Sequence, residues 1–128
     1  MALQYGVTLR NAKMDSIATT LGATATLIIF TGSVPGACDS ANPAGPLITI
    51  ALPNPAFAAA SSGAVAKNGT WSGTATSTGT AASYRIFNSS TVCQIQGNVT
   101  TDLVLNNVSI ASTQVVTITA YTLTAANT

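Results

Sequence analysis

Few residues in this chain can do chemistry, and their types are narrow. There are three aspartates, Asp15, Asp39 and Asp102, with no glutamate and no histidine. The basic residues are Arg10, Lys13, Lys67 and Arg85, and the thiols are Cys38 and Cys93. Lack of His and Glu removes the commonest general acids, bases and metal ligands. No two aspartates are close in sequence, so a paired-carboxylate mechanism would need the fold to unite them. Neither a Gly-x-Ser-x-Gly elbow nor a glycine-rich phosphate loop occurs, and a cysteine nucleophile would have no histidine base. Two cysteines without histidine do not make a zinc site. The expectation is a non-enzyme with no cofactor and no metal.

The two thiols leave two readings open: independent cysteines, or a disulfide closing the long segment between them. A bridge of that span adds about 4 kcal/mol in the chain-entropy model. The start, Met1-Ala2-Leu3-Gln4-Tyr5-Gly6, lacks the basic and apolar regions of a signal peptide. A reducing cytosol is therefore the expected place of synthesis, which favours free thiols. A Lys–Asn isopeptide has only Lys13 and Lys67 to draw on, and no spacing supports one. Asn68, Asn88, Asn98 and Asn107 each begin an Asn-x-Ser/Thr triplet. In a chain this rich in serine and threonine, such triplets arise by chance and read as turns. Trp71, the one tryptophan, reads first as a core anchor and second as an interface or carbohydrate platform.

Charge is the anomaly of the composition. Charged residues make up 5% of the 128 residues, against roughly 25% in ordinary soluble domains. A net charge of +1 offers no footprint for nucleic acid or an anionic membrane. The apolar run Leu27-Ile28-Ile29-Phe30 covers one strand and falls far short of the ~20 residues of a spanning helix. A chain that is apolar and uncharged resists self-association poorly, which suits a protein built to associate. In such a chain Arg10, Lys13 and Arg85 read as solvated or locally paired, with a raised chance of sitting at a contact.

The elements that must position these residues follow from hydrophobic period. One domain, 1–128, is expected from the length. Val7, Arg10, Asn11, Met14, Ile17, Ala18 and Leu21 share one helical stripe, and Gly22 stands where a left-handed cap is expected, so 7–21 reads as a helix. From residue 23 to about 124 the text becomes short strands. Residues 23–31 read as a strand buried on both faces, and 47–52 as a second. Between them, residues 33–46 carry Pro35, Pro43 and Pro46 in loop chemistry. Asn68-Gly69 between short apolar runs predicts a two-residue hairpin. Segments 81–87 and 92–99 pair as another. The last strand, 114–123, shows two apolar phases, Val116, Ile118 and Ala120 or Val115, Tyr121 and Leu123, which a bulge reconciles. Seven or eight strands at roughly ten-residue spacing are the cue for a sandwich, jelly roll or small barrel.

Several stretches resemble a family of small virion proteins of tailed bacteriophages. They include Leu9-Arg10-Asn11-Ala12, Thr31-Gly32 followed by Pro35-Gly36-Ala37-Cys38, Gly69-Thr70-Trp71, Tyr84-Arg85-Ile86-Phe87, Thr91-Val92-Cys93 and Thr117-Ile118-Thr119-Ala120-Tyr121. The similarity runs over nearly the whole chain. It implies an all-β, jelly-roll-like β-sandwich with one short N-terminal helix, and a capsid cement or decoration role on the capsid exterior. Implied partners are the major capsid protein and further copies of the chain. A tail, baseplate or fibre component, or a glycan-binding host-recognition module, are the alternatives. The resemblance carries no catalytic residues, but it implies that Cys38 and Cys93 meet in space. The expected contact surface combines Arg10 and Lys13 with the loop bearing Pro35, Pro43 and Pro46.

Overall fold

The structure, a computed structural model, describes residues 3–125. The outermost two and three residues of the expected 1–128 domain lie outside the described part. The chain is an all-β sandwich with one N-terminal helix, α1 (Val7–Leu21). Ten strands follow among the described residues, more than expected because two of them, β5 (Gly79–Thr80) and β9 (Ser109–Ile110), have only two residues. They pair with each other as a small ribbon.

One sheet has the order β2-β1-β6-β7. Its strands are β1 (Thr26–Phe30), β2 (Pro46–Ala51), β6 (Ser83–Phe87) and β7 (Cys93–Asn98), all antiparallel. As the apolar run predicts, β1 is central. The second sheet is organised on the long last strand β10 (Val115–Thr124), which pairs with β3 (Ala64–Ala66), β4 (Ser72–Thr74) and β8 (Leu103–Leu105). The register of β10 against β8 shifts between Ile118 and Ala120. Val116 and Ile118 are buried before the shift and Tyr121 after it, while Val115 and Ala120 are exposed, so each apolar phase of this strand is used in part. This order makes an all-β sandwich; it does not spell out the jelly-roll connectivity.

The expected hairpin at Asn68-Gly69 is corrected. Gly69 does take the left-handed conformation, with φ +68°, and the chain turns there. Yet β3 and β4 do not pair with each other; each pairs with β10. The turn residues do give a turn, but the ladder partner of both strands is β10, distant in sequence, which no local signal names.

Between the sheets lies the main core. Leu27, Ile29, Ile48, Ile50, Tyr84, Ile86, Trp71, Val116, Ile118 and Tyr121 belong to it. Phe57, Trp71, Tyr121 and Tyr84 form a chain of ring contacts with centroids 5.4–5.7 Å apart from Phe57 to Trp71, Trp71 to Tyr121 and Tyr121 to Tyr84, a spacing typical of favourable edge and tilted pairs. Tyr84 Oη donates to Tyr121 Oη at 2.8 Å, joining the two sheets through the core.

Helix α1 ends at Leu21 as predicted, but Gly22 does not take the left-handed helical cap: its φ is +80° with ψ −166°, and its N–H donates to Ala18 O at 3.2 Å, a backbone that other residues adopt only with strain. Only Met14 and Leu21 of the helix are buried. Much of its attachment is polar. Asn11 Oδ1 accepts the Gly63 N–H at 2.7 Å and Asp15 Oδ1 accepts that of Ala60 at 2.7 Å. At the other end Ser89 receives the helix, its N–H and Oγ both donating to Leu21 O.

Candidate functional site

Strand β6 is buried along its whole length, and that fact locates the site. In an antiparallel pair, directly opposed residues share a face. Tyr84 and Ile86 point into the core with Gly97 and Ile95 of β7 opposite. Ser83, Arg85 and Phe87 therefore point to the other side of the sheet, with Asn98, Gln96 and Cys93 opposite. That outer face is not open to solvent. Phe30 and Phe87 are buried there, yet neither belongs to the main core. The cover is the loop between β1 and β2, residues 33–45, which folds back as a roof.

Four kinds of bond hold the roof down. At its base, the Thr31 N–H donates to Gly45 O at 2.9 Å and the Gly32 N–H to Ala44 O at 3.0 Å, closing the loop's ends. Ser83 Oγ donates to Gly32 O at 2.6 Å. On the β7 side, Gln96 Nε2 donates to Pro35 O at 2.9 Å, and Cys38 is disulfide-bonded to Cys93 with Cα atoms 5.6 Å apart. In the middle stands Arg85. Its Nη1 donates to Ser40 O at 2.9 Å and to Asn42 Oδ1 at 3.0 Å, and its Nη2 to Ala37 O at 3.1 Å. The guanidinium fork suits this use, because its donors diverge rigidly in one plane.

Arg85 corrects the expectation of a solvated or locally paired side chain. It is 1% exposed, and its partners are carbonyl oxygens rather than a carboxylate. Alternation along β6 misled the sequence reading, since a polar residue between Tyr84 and Ile86 looks solvent-facing until something covers it. The disulfide brings together two residues 55 positions apart; of the two sequence readings, the bridge is the one present, and the resemblance had pointed to it.

A cavity of about 400 Å³ opens beside the roof, lined by Cys38–Asn42 on one side and by Arg85, Phe87, Thr91, Val92 and Cys93 on the other. Arg85 Nε is buried without a hydrogen-bond partner. Val92, on the rim, is 50% exposed.

The remaining predicted contact residues divide between places. Pro35 and Pro43 belong to the roof and are half-buried. Pro46 is not a loop residue; it opens β2 and pairs with Phe30 at a bulge, an edge position that spares the missing N–H. Arg10 lies against Gly63, where an added Cβ would sit 2.7 Å from Nη1, so it is half-buried under the helix. Lys13 is exposed, with Nζ 4.2 Å from the centre of the Tyr5 ring. Arg10 thus packs toward the 60–63 turn and Lys13 sits over Tyr5, whereas Pro35 is held to β7 through Gln96. Trp71 is 0% exposed, which corrects its reading as a carbohydrate platform: a buried indole offers no face to a sugar. Of the four triplet asparagines, Asn88 and Asn107 make side-chain hydrogen bonds within turns, and Asn68 Nδ2 donates to Pro55 O at 2.9 Å.

Inside the core, burial raises the Tyr84 phenol above its ordinary pKa of 10.0, the hydrogen bond with Tyr121 opposes this, and nearby Asp102 adds to it. Tyr121 is raised much further, by burial, then by the Tyr84 oxygen and Asp102. Neutral phenols at every physiological pH make this pair a structural clasp.

Among the described residues no group of three or more His, Cys, Asp or Glu comes together to hold a metal ion, and no helix is long and apolar enough to cross a membrane. Comparison with family models, with curated proteins and with solved structures finds no match to the chain.

Proposed function

We propose that the chain is a structural protein of a bacteriophage virion, a cement or decoration protein that binds the assembled capsid from outside and stabilises it. The observation that carries this reading is the roof: a long loop with Asp39 as its one charged residue, locked on a rigid β-sheet by a disulfide, a buried arginine and a glutamine. A surface already ordered before binding loses little entropy on docking. Loops on rigid β scaffolds are where binding commonly sits. Low charge fits a surface destined for burial, because each interfacial charge must be paired or desolvated. The resemblance of the sequence to small virion proteins supports the same reading.

Arg10 is committed to the 60–63 turn, so the contact surface moves from the helix to the outer side of the roof with the 88–92 turn beside it. Many copies repeated by lattice symmetry add avidity that one copy lacks. A protein that binds only the assembled lattice raises its stability by mass action. Quantitative mass spectrometry of purified virions should find on the order of hundreds of copies, as lattice repetition demands. Particles lacking the protein should open at lower temperature. Copy numbers of a few, with labelling at the tail, would replace this reading by the tail alternative.

A further inference from the structure

Cys38 sits in a tight turn, in which the Ser40 N–H donates to Ala37 O at 3.1 Å. Arg85 grips both ends of that turn, Nη2 donating to Ala37 O at 3.1 Å and Nη1 to Ser40 O at 2.9 Å. Gln96 Nε2 holds Pro35 O, just before the turn, at 2.9 Å. Cys93 lies on the same face of the sheet, opposite Phe87, the next residue on that face of β6 after Arg85. Hydrogen bonds that owe nothing to sulfur therefore hold Cys38 over Cys93. No residue from 33 to 45 is buried. The roof thus sends no side chain into the main core, and lifting it leaves the packing between the sheets untouched. Both cysteines are half-buried and line the open cavity beside the roof.

We propose that the Cys38–Cys93 bridge is a reducible latch on a roof docked by Arg85, opened by a small thiol of the glutathione class while the sandwich stays folded. The thiolate attacks one sulfur of the bridge, forming a mixed disulfide and releasing the other cysteine as a thiolate, which takes up a proton. A second thiolate attacks the mixed disulfide and releases the first cysteine in the same way. Two small thiols become one small disulfide, and their two electrons reduce the bridge to two thiols. A bridge inside a core waits for global unfolding; one on a surface loop needs only local opening. In the reduced chain Arg85 and Gln96 still dock the roof, now reversibly, so the thiols stay close and a small disulfide re-forms the bridge. Linkage is reciprocal: whatever the bridge adds to docking, docking returns to bridge formation. Arg85 is thereby a positioning residue for the bridge. Weaker binding of the reduced chain to a capsid follows only if the proposed function holds, whereas the latch stands without it.

The test places the full-length protein in glutathione buffers of graded redox ratio without denaturant. Alkylation and mass spectrometry count the bridged fraction, and amide hydrogen exchange reports the fold. Reduction should go to completion with exchange in residues 37–42 rising about tenfold and the amides of β1 and β10 unchanged. Arg85→Met should lower the equilibrium constant for bridging about tenfold, and Asn42→Ala, which removes one acceptor and leaves the arginine in place, about threefold. Bridge reduction that occurs only together with exchange of the core amides would overturn the latch. A bridging constant unmoved in Asn42→Ala, and in Arg85→Met where that variant folds, would overturn the part given to Arg85. Local reduction in a chain that binds no capsid in either redox state would keep the latch and discard the capsid reading.

Discussion

Tyr84 and Arg85 are neighbours in the chain, both are buried, and they face opposite sides of one strand. The Tyr84 side is an ordinary sandwich interior: aromatic rings in contact, one hydroxyl pair satisfied internally, no charge. The Arg85 side is a charge under a loop, held by carbonyls and a covalent bridge. Inside, apolar area removed from water supplies the stability, roughly 25 cal/mol per Å². Outside, a loop with little apolar area to bury relies on directed bonds instead. The difference teaches how each side is held. A core needs only to exclude water, whereas a loop on the outer face must hold its shape while exposed.

The largest expected effect tests the covalent part of the outer side. Replacing both Cys38 and Cys93 by serine should lower stability by about 4 kcal/mol, because the bridge closes a span of 55 positions. Chemical denaturation of oxidised wild type against the double variant measures it. A loss under about 1 kcal/mol would mean that the arginine and glutamine suffice to hold the roof.

Next comes the inner side. Gly97 faces the Tyr84 ring, and an added Cβ would lie 2.7 Å from Tyr84 Oη and 2.7 Å from Asp102 Oδ2. Gly97→Ala should therefore cost about 2 kcal/mol by overpacking. The loss should appear as a global drop in melting temperature. Arg85→Met contrasts with it in kind: faster amide hydrogen exchange confined to the roof, about residues 37–42, is expected there. If both variants unfold globally, the two sides are one cooperative unit and the contrast fails.

A smaller effect is expected at the phenol pair. Tyr84→Phe leaves the Tyr121 hydroxyl without its partner and should cost about 1 kcal/mol, while the double Phe variant should recover part of the loss. The same pair sets an alkaline limit. Both pKa values are raised in the folded state, so above pH 10 the unfolded chain releases protons that the folded chain retains. Stability is then full below pH 10 and falls as pH rises past it. Thermal melts from pH 8 to 11 should show the fall, and the double Phe variant should flatten it.

Least affected should be the helix surface. Lys13→Ala removes an exposed contact with Tyr5 worth about 0.5 kcal/mol. A larger loss would show that the N-terminal segment is packed more firmly than its exposed Leu3, Val7 and Leu9 indicate.

Much of the scaffold was legible because its signals are local. The helix stops at Gly22 since the next backbone step needs a positive φ. The central place of β1 follows from four consecutive apolar residues, which only a strand covered on both faces tolerates. The pairing of β6 with β7 follows from two alternating runs around one turn. The phase change in β10 was written in its two sets of apolar residues. The site was less legible. Pro35, Pro43 and Cys38 marked the roof, but of the residues that fasten it Gln96 carried no mark and Arg85 only a raised chance of sitting at a contact, since a polar residue alternating with apolar ones reads as exposed.

By itself, then, the sequence determined the period of each element, where most of them begin and stop, and the scarcity of charge that excludes whole classes of chemistry. Those properties depend on residues within a turn or two of one another. Only the tertiary structure decided that β3 and β4 both seek β10, that Cys38 meets Cys93, and that the outer face of β6 lies under a roof. Each of these joins chain segments far apart, as when Arg85 reaches the Ser40 carbonyl across 45 positions. Whether a polar side chain meets water or a carbonyl is set by what folds over it, and neither its own type nor its neighbours' spacing contains that information.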